Sequence, residues 1–404
     1  MSQQQSGGSR MPLLMLNMFI AMLGIGLIIP VLPEYLREFG AGGSTAGYLI
    51  AAFGITQFLC SPIFGEMSDK YGRKWMIVTG LALFTISNLI FATAEHISML
   101  YVSRFVGGVG AAAMIPSMLA YVADITTEEN RGKGLGRIGA AMSFGFVIGP
   151  GAGGFLAELG LRAPFYVSAS VGVFAVLCTM FFVPESLPME SRLAARASTM
   201  KREYIWVQIA KSFKASYFVL LVLVFTLNFG LLNFEAIFPM FVDEKYSYTV
   251  REISLIITIG AGAGTLIQLF YIGKLIDRFG ERLLIKATLL LSAVTLVLML
   301  LSGNFYYVLL LTTFFLTLTS IMRPAINTLL SKAAGNEQGF VAGMNNAYMS
   351  LGNIFGPAAA GTLYTLHLNG PYLLGAIVLL FSLFLAMSRA GSGVQTTNNV
   401  KIGG

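Results

Sequence analysis

Apolar residues in this chain run in long continuous blocks, not in the short alternations of strands or the one-sided stripes of soluble helices. A bilayer core asks for about 20 mostly apolar residues per helix. Blocks of that kind fall at 12–36, 44–65, 75–95, 98–123, 134–159, 163–183, 216–242, 250–273, 283–303, 305–330, 339–366 and 370–388. The pattern predicts an all-α membrane protein with twelve transmembrane helices. A closed β-barrel is excluded, because its strands alternate apolar and polar positions. The first block, after Arg10, is too long for a signal peptide and lacks a small-residue cleavage site, so it reads as an uncleaved span.

Composition agrees with that pattern. The 404 residues are 56% hydrophobic and 11% charged, where a soluble domain carries roughly a quarter charged. The net charge of +7 would suggest nucleic acid only if the cations formed a face. They sit between the spans instead. With the N-terminus inside, twenty Lys and Arg residues fall in inner segments. Only Arg37, Arg162, Lys245 and Arg251 fall in outer loops, and Arg104 and Arg323 lie within spans. This asymmetry predicts a multi-pass cell-membrane protein with both termini in the cytoplasm. Cys60 and Cys178 sit in apolar segments and give neither a disulfide framework nor metal-ligand spacing. His96 and His367 lie at outer turns, no acidic metal pair is visible and no GxxxxGK[ST] phosphate loop occurs. The sequence therefore predicts neither a membrane enzyme nor an ATP-driven pump, and it calls for no metal or cofactor.

The polar stretch 184–215 divides the chain into two sets of six spans that repeat each other. GEMSDKYGRK at 65–74 is matched by GKLIDRFGER at 273–282, so that Gly65, Asp69, Lys70 and Gly72 recur as Gly273, Asp277, Arg278 and Gly280. GFVIGPGAGG at 145–154 is matched by GNIFGPAAAG at 352–361, so that Gly145, Gly149, Pro150 and Gly154 recur as Gly352, Gly356, Pro357 and Gly361. Duplication of this kind marks transporters whose cargo site lies between the halves near the midplane, exposed to either side as the halves rock. The expected organisation is a cytoplasmic tail at 1–10, a six-helix bundle at 11–183, a cytoplasmic linker at 184–215, a second bundle at 216–389 and a tail at 390–404.

Several residues carry candidate chemistry. In the first repeated motif the glycines permit a tight two-helix turn, and Asp69 can face a helix N-terminus or a cation. Arg73 and Lys74 are either ordinary inner-loop charges or, for Arg73, one arm of a latch to Asp124 at the inner end of span four. In span five, Gly145, Gly149 and Gly153 share one helix face, which allows close helix approach, and Pro150 can kink the helix. Span four reads YVSRFVGGVGAAAMIP and places Arg104 inside the membrane, where a charge is costly unless paired or hydrated; it is either functional there or snorkels to the outer interface six residues back. Span seven reads NFGLLNFEAIFPMF, with Glu235 about 12 Å below Asp243 at 1.5 Å per residue. At that depth a carboxyl needs a proton or a cation beside it, which suits either a proton carrier or a site for a lipophilic cation. Phe225, Phe229, Phe234, Phe238 and Asn228 share the segment, as an aromatic pocket lining or as packing and lipid contacts.

The motif Gly65-x3-Asp69-Lys70-x-Gly72-Arg73-Lys74 resembles the signature of the major facilitator superfamily, and GFVIGPGAGG resembles the motif of its drug–proton antiporters. From LGIGLIIPVLP at 23–33 to GFVAGMNNAYMSLGNIFGP at 339–357, with FGITQ, MRPAIN and AGNEQGF between, the chain is similar to the Gram-positive multidrug exporters of the NorA and Bmr type. The resemblance implies a major facilitator fold of two six-helix pseudo-repeat bundles, working as a monomer. It implies proton-driven export of hydrophobic, often cationic drugs such as fluoroquinolones, dyes and quaternary ammonium compounds. The alternative is a same-fold exporter of one metabolite, peptide or lipid. By matching position the resemblance nominates Phe53, Gln57, Arg104, Phe146, Glu235, Arg323 and Asn353 for the pocket, with Glu235 and Arg104 coupling protons. It nominates Gly65, Asp69, Gly72, Arg73, Lys74, Asp124, Gly145, Gly149, Pro150, Gly153, Gly154, Asp277 and Gly280 for gating. One position departs: where those exporters carry a second acid in span ten, this chain has Ser320.

Overall fold

The computed structural model describes residues 7–197, 205–335 and 337–388. The outermost tail residues, the linker segment 198–204 with Lys201 and Arg202, and Arg389 and Lys401 lie outside it. The described residues form α1 (Gly7–Ile28), α2 (Leu32–Arg37), α3 (Gly43–Tyr71), α4 (Arg73–Ala92), α5 (Ile97–Ile125), α6 (Glu128–Ala157), α7 (Ala163–Phe182), α8 (Met189–Ala197), α9 (Ile205–Ser212), α10 (Phe218–Tyr246), α11 (Val250–Phe270), α12 (Ile272–Phe279), α13 (Glu281–Leu298), α14 (Phe305–Ala334), α15 (Gln338–Leu366) and α16 (Gly370–Ser388). Ten of them are long and apolar enough to cross a membrane. Two further long helices, α13 and α15, complete the twelve that match the apolar blocks. Their apolar content is diluted, by Glu281, Arg282 and Lys286 at the start of α13 and by Asn345, Asn346 and Asn353 along α15.

Three boundaries differ from the sequence expectation. The block 12–36 is not one rod: the chain turns at Ile29–Val31 and restarts as α2. Pro30 cannot supply the N–H that would continue α1, whereas Pro33 sits in the first turn of α2, where no N–H is needed. The motif at 65–74 is not a loop either. Gly65 to Tyr71 complete α3, and the whole turn into α4 is Gly72, at φ 113°. Gly280 makes the same turn into α13 at φ 72°, so both copies place glycine where a side chain would be strained. Thirdly, α6 begins at Glu128, a turn and a half before its apolar block.

The two halves share one packing plan. In the first, α1 packs on α6 and α7, and α4 on α5 and α7; in the second, α10 packs on α15 and α16, and α13 on α14 and α16. The glycine repeat creates these approaches. A Cβ on Gly149 would lie 2.7 Å from the Cα of Gly26 in α1, and one on Gly356 would lie 2.6 Å from the Phe229 carbonyl oxygen in α10. Only glycine lets the backbones come so close. The third glycine of each copy faces the other half: Gly154 meets Ser254 of α11, and Gly361 meets Gly43 of α3. Two seams, α3 with α15 and α6 with α11, join the halves.

Both seams are tight at one end only. Call the side on which α1 begins and α16 ends the terminal face. At the opposite face Arg37 of α2 forms an ion pair with Asp243 of α10, and the Tyr48 hydroxyl lies 3.0 Å from Thr362 Oγ1. Toward the terminal face the same helices diverge, and beside Gly65, Gly139 and Gly343 an added Cβ would meet open space. The molecule is shut at the opposite face and open at the terminal face.

Candidate functional site

Beneath the closed end lies a cavity of about 140 Å³, smaller than the usual small-molecule site. Its wall comes from both halves. From the first come Ile25, Ile28, Ile50, Phe53, Arg104 and Phe146, and from the second Leu232, Glu235, Ala236, Pro239 and Met240. A second, much smaller space of about 20 Å³ adjoins it, lined by Phe146, Phe234, Glu235, Phe238, Ile257 and Leu316 among others. Glu235 and Phe146 belong to both walls.

Glu235 has no hydrogen-bond partner among the described residues. The cation whose field reaches it is Arg323 of α14, which lies 3.5 Å from Asn228 Oδ1. Arg104 of α5 sits over the Phe91 ring at 4.4 Å, and its Nε is sealed from the surface without a partner. Ser320, at the position of the relatives' second acid, donates its hydroxyl to the Leu316 carbonyl at 2.8 Å. Among the described residues Glu235 is the one acid on the walls of these two spaces, and it shares the larger wall with Arg104.

Of the pocket residues expected from sequence, the main cavity brings together Phe53, Arg104, Phe146 and Glu235; Gln57, Arg323 and Asn353 are not on its wall. Phe234 and Phe238 reach the smaller space, with Phe234 also stacked on Phe315 at 4.8 Å. Phe225 and Phe229 do not line either space and pack on each other at 5.8 Å, so two of the four span-seven phenylalanines are lining and two are packing contacts. The aliphatic lining escaped the sequence reading. A signal for it existed: Leu232, Glu235, Ala236 and Pro239 follow the i, i+3, i+4, i+7 spacing of one helix face.

At the terminal face the first motif forms a charge cluster. Arg73 reaches Asp69 at 2.6 Å, Asp124 at 3.3 Å and the Ser68 hydroxyl at 3.2 Å. Asp124 also accepts from the Ser186 hydroxyl at 2.8 Å. Glu185, in the linker and not anticipated, accepts from the backbone N–H groups of Arg73 and Lys74 at 2.8 and 3.2 Å. It caps the start of α4 with a carboxylate supplied from 112 residues away. In the second copy the cluster is, among the described residues, a single pair, Lys332 with Glu281 at 2.5 Å.

Comparisons with known proteins agree with this architecture. The family model for the Major Facilitator Superfamily matches residues 14–248 and 218–399. Multidrug resistance protein 2 of Bacillus subtilis (strain 168) is 43% identical over 375 residues, covering 93% of this chain and 94% of that protein. Multidrug resistance protein 1 of the same strain is 38% identical over 93% of this chain and 95% of its own length. Quinolone resistance protein NorA of Staphylococcus aureus is 33% identical over 88% of this chain and 90% of its own length. Among solved structures, a bacterial homologue of the human lysosomal transporter Spinster, inward-facing and occupied, superposes with a TM-score of 0.77 at 14% identity, covering 95% of this chain and 96% of that one. The nucleoside transporter NupG gives 0.74 at 15% identity, covering 95% and 99%. At such identities the structures speak for the fold alone, while the sequence matches span both repeats and the segment between them. A multi-pass, two-bundle helical chain with a cavity at its pseudo-symmetry seam, matched over nearly its whole length, is a transporter rather than an enzyme, and it belongs to the major facilitator superfamily.

Proposed function

We propose that this chain exports hydrophobic, drug-like molecules in exchange for protons, with its terminal face in the cytoplasm. The relatives named for multidrug and quinolone resistance support the cargo class. The excess of Lys and Arg on the terminal-face segments supports the orientation. One chain encloses the entire cavity, which supports a working monomer.

The observation that carries the reading is the setting of Glu235. Its carboxyl stands in an apolar cavity between the halves without a hydrogen-bond partner among the described residues. An ionised carboxylate there is costly unless it holds a proton or faces a cation. Cargo with a basic nitrogen satisfies it in one half-cycle and a proton in the other, and the two compete for one group. Cargo enters from the cytoplasm through the divergent ends of α3, α6, α11 and α15, and its aromatic surface is buried against Ile25, Ile50, Phe53 and Phe146. When the halves rock, the Arg37–Asp243 pair separates and the terminal face closes. A proton from outside then displaces the cargo.

Inverted membrane vesicles with an imposed pH gradient test this. The wild-type protein is expected to concentrate ethidium, to stop when an ionophore collapses the gradient, and to lose the activity as Glu235→Gln. Undiminished transport by a well-expressed Glu235→Gln protein would remove that carboxyl from the mechanism.

A further inference from the structure

The linker between the bundles places one helix on each half. α8 packs on α3, where Arg196 donates through Nε to the Lys70 carbonyl at 2.9 Å and lies over the Tyr71 ring at 4.9 Å. α9 packs on α15. Ile205 and Ile209, one turn apart, face the core, and the buried Ser212 hydroxyl lies 2.8 Å from the Tyr348 hydroxyl of α15. α9 also crosses to the first half, because the Trp206 ring stands edge-on to Phe58 of α3 at 6.0 Å. The level of these anchors matters. A Cβ on Gly54 of α3 would lie 3.3 Å from Ile354 of α15, so the two helices still touch there. Phe58 is four residues nearer the terminal face and Tyr348 six, or about 6 and 9 Å at 1.5 Å per residue. Farther on, an added Cβ at Gly65 or Gly343 would meet open space. α9 therefore bridges α3 and α15 where they begin to part.

We infer that α9 is a wedge: seated against both α3 and α15 it holds the terminal face open, and it leaves that seat for the face to close. The inference rests on the rocking halves of the proposed export cycle and gives the linker a part in it. Packed helices run with their axes about 8–10 Å apart, and a helix with its side chains is about 10 Å across. The ends of α3 and α15 cannot close on each other with Trp206 and the α9 backbone in the way. The seat is suited to being left. A helix of eight residues has little stability of its own, and Trp206 is 58% exposed. Ser212 and Tyr348 share a neutral hydrogen bond, which water can replace on either partner. A contact made in one of two states biases the balance toward that state by the whole of its worth. Weakening the seat therefore favours closure, and fastening it forbids closure.

Two experiments on the full-length protein test this, both in a Cys60→Ser, Cys178→Ser background. In the first, spin labels at Lys133→Cys of α6 and Lys274→Cys of α12 report the width of the terminal opening in nanodiscs, on helices that α9 does not pack against. Trp206→Ala combined with Ser212→Ala is expected to raise the ratio of short to long distances at least about fivefold. A lower Tm with an unchanged distance distribution would make α9 a mere packing element and overturn the proposal, as would a shift toward longer distances. In the second, a short bismaleimide joining Phe58→Cys to Trp206→Cys should fasten the wedge. Gradient-driven ethidium transport should then stop, while ethidium Kd stays within about twofold of the unbridged protein. Transport by the bridged protein at the unbridged rate would also overturn the proposal. Failure of the export reading is distinguishable, since the wild type would then move no ethidium, whereas the distance measurement needs neither gradient nor cargo.

Discussion

The two halves solve one structural problem with opposite charges. At the terminal face Arg73 at the start of α4 meets Asp124 near the end of α5; 208 positions later Glu281 starts α13 and meets Lys332 near the end of α14. The position of the pair is set by geometry, because both glycine turns bring the same two helix ends together. The sign is not. A helix N-terminus favours an acid and a C-terminus a base, so Glu281 with Lys332 agrees with the helix dipoles and Arg73 with Asp124 opposes them. The first half compensates with Asp69, Ser186 and the Glu185 cap. The second has, among the described residues, a single pair, whose Lys332 side chain is 64% exposed. The first cluster is thus a network of mutually dependent groups and the second a simple strap. A latch that must break and reform is better built from the former.

That contrast can be broken in stages. The shared packing plan comes first, since it underlies both halves. Gly149→Leu and Gly356→Leu should each cost about 1–3 kcal/mol or more by overpacking the α1–α6 and α10–α15 contacts, visible as a lower Tm or loss of folded protein in detergent. A variant that melts like the wild type would remove that contact from the plan. Next, Arg73→Ala leaves Asp69 and Asp124 facing each other and should slow transport by at least about tenfold with cargo Kd little changed. Glu281→Ala, which removes half of an exposed pair worth about 0–1 kcal/mol, should alter transport by no more than about fivefold. Equal losses in both would refute the asymmetry. Glu185→Ala should lower stability by about 1 kcal/mol, the value of a helix cap, read in the same melting assay. Smallest is Arg37→Ala. It removes a partly exposed ion pair between the halves and should favour opening at the opposite face by under about 1 kcal/mol, measured as labelling of a cysteine introduced at Ile50.

Much of this was legible in the chain because membrane solvation imposes length and charge rules on every span. Twelve apolar blocks and the duplicated glycine motifs carry the helix count and the shared packing plan on their own. What stayed hidden depends on proximity between segments far apart in sequence. Glu185 looks like linker charge until α4 starts beside it. The break that creates α2, and with it the Arg37–Asp243 contact, is masked because Ile28 to Leu36 read as unbroken apolar sequence apart from Glu34 and the prolines. Arg104 was conspicuous as a charge within a span, but its seat on Phe91 and its lack of a partner are three-dimensional facts. Half of the cavity wall is Ile, Leu and Met, residue types that the lipid-facing surface also uses.

The claim on which the transport scheme rests is that proton and cargo compete for one carboxyl. It is tested most directly by adding drug to purified protein in weakly buffered medium near neutral pH and recording released protons. By linkage, competition requires that cargo binding expel up to about one proton per molecule bound. Glu235→Gln should still bind neutral cargo and release none. Binding by the wild type with no proton release at any pH, or equal release from the amide variant, would contradict the account.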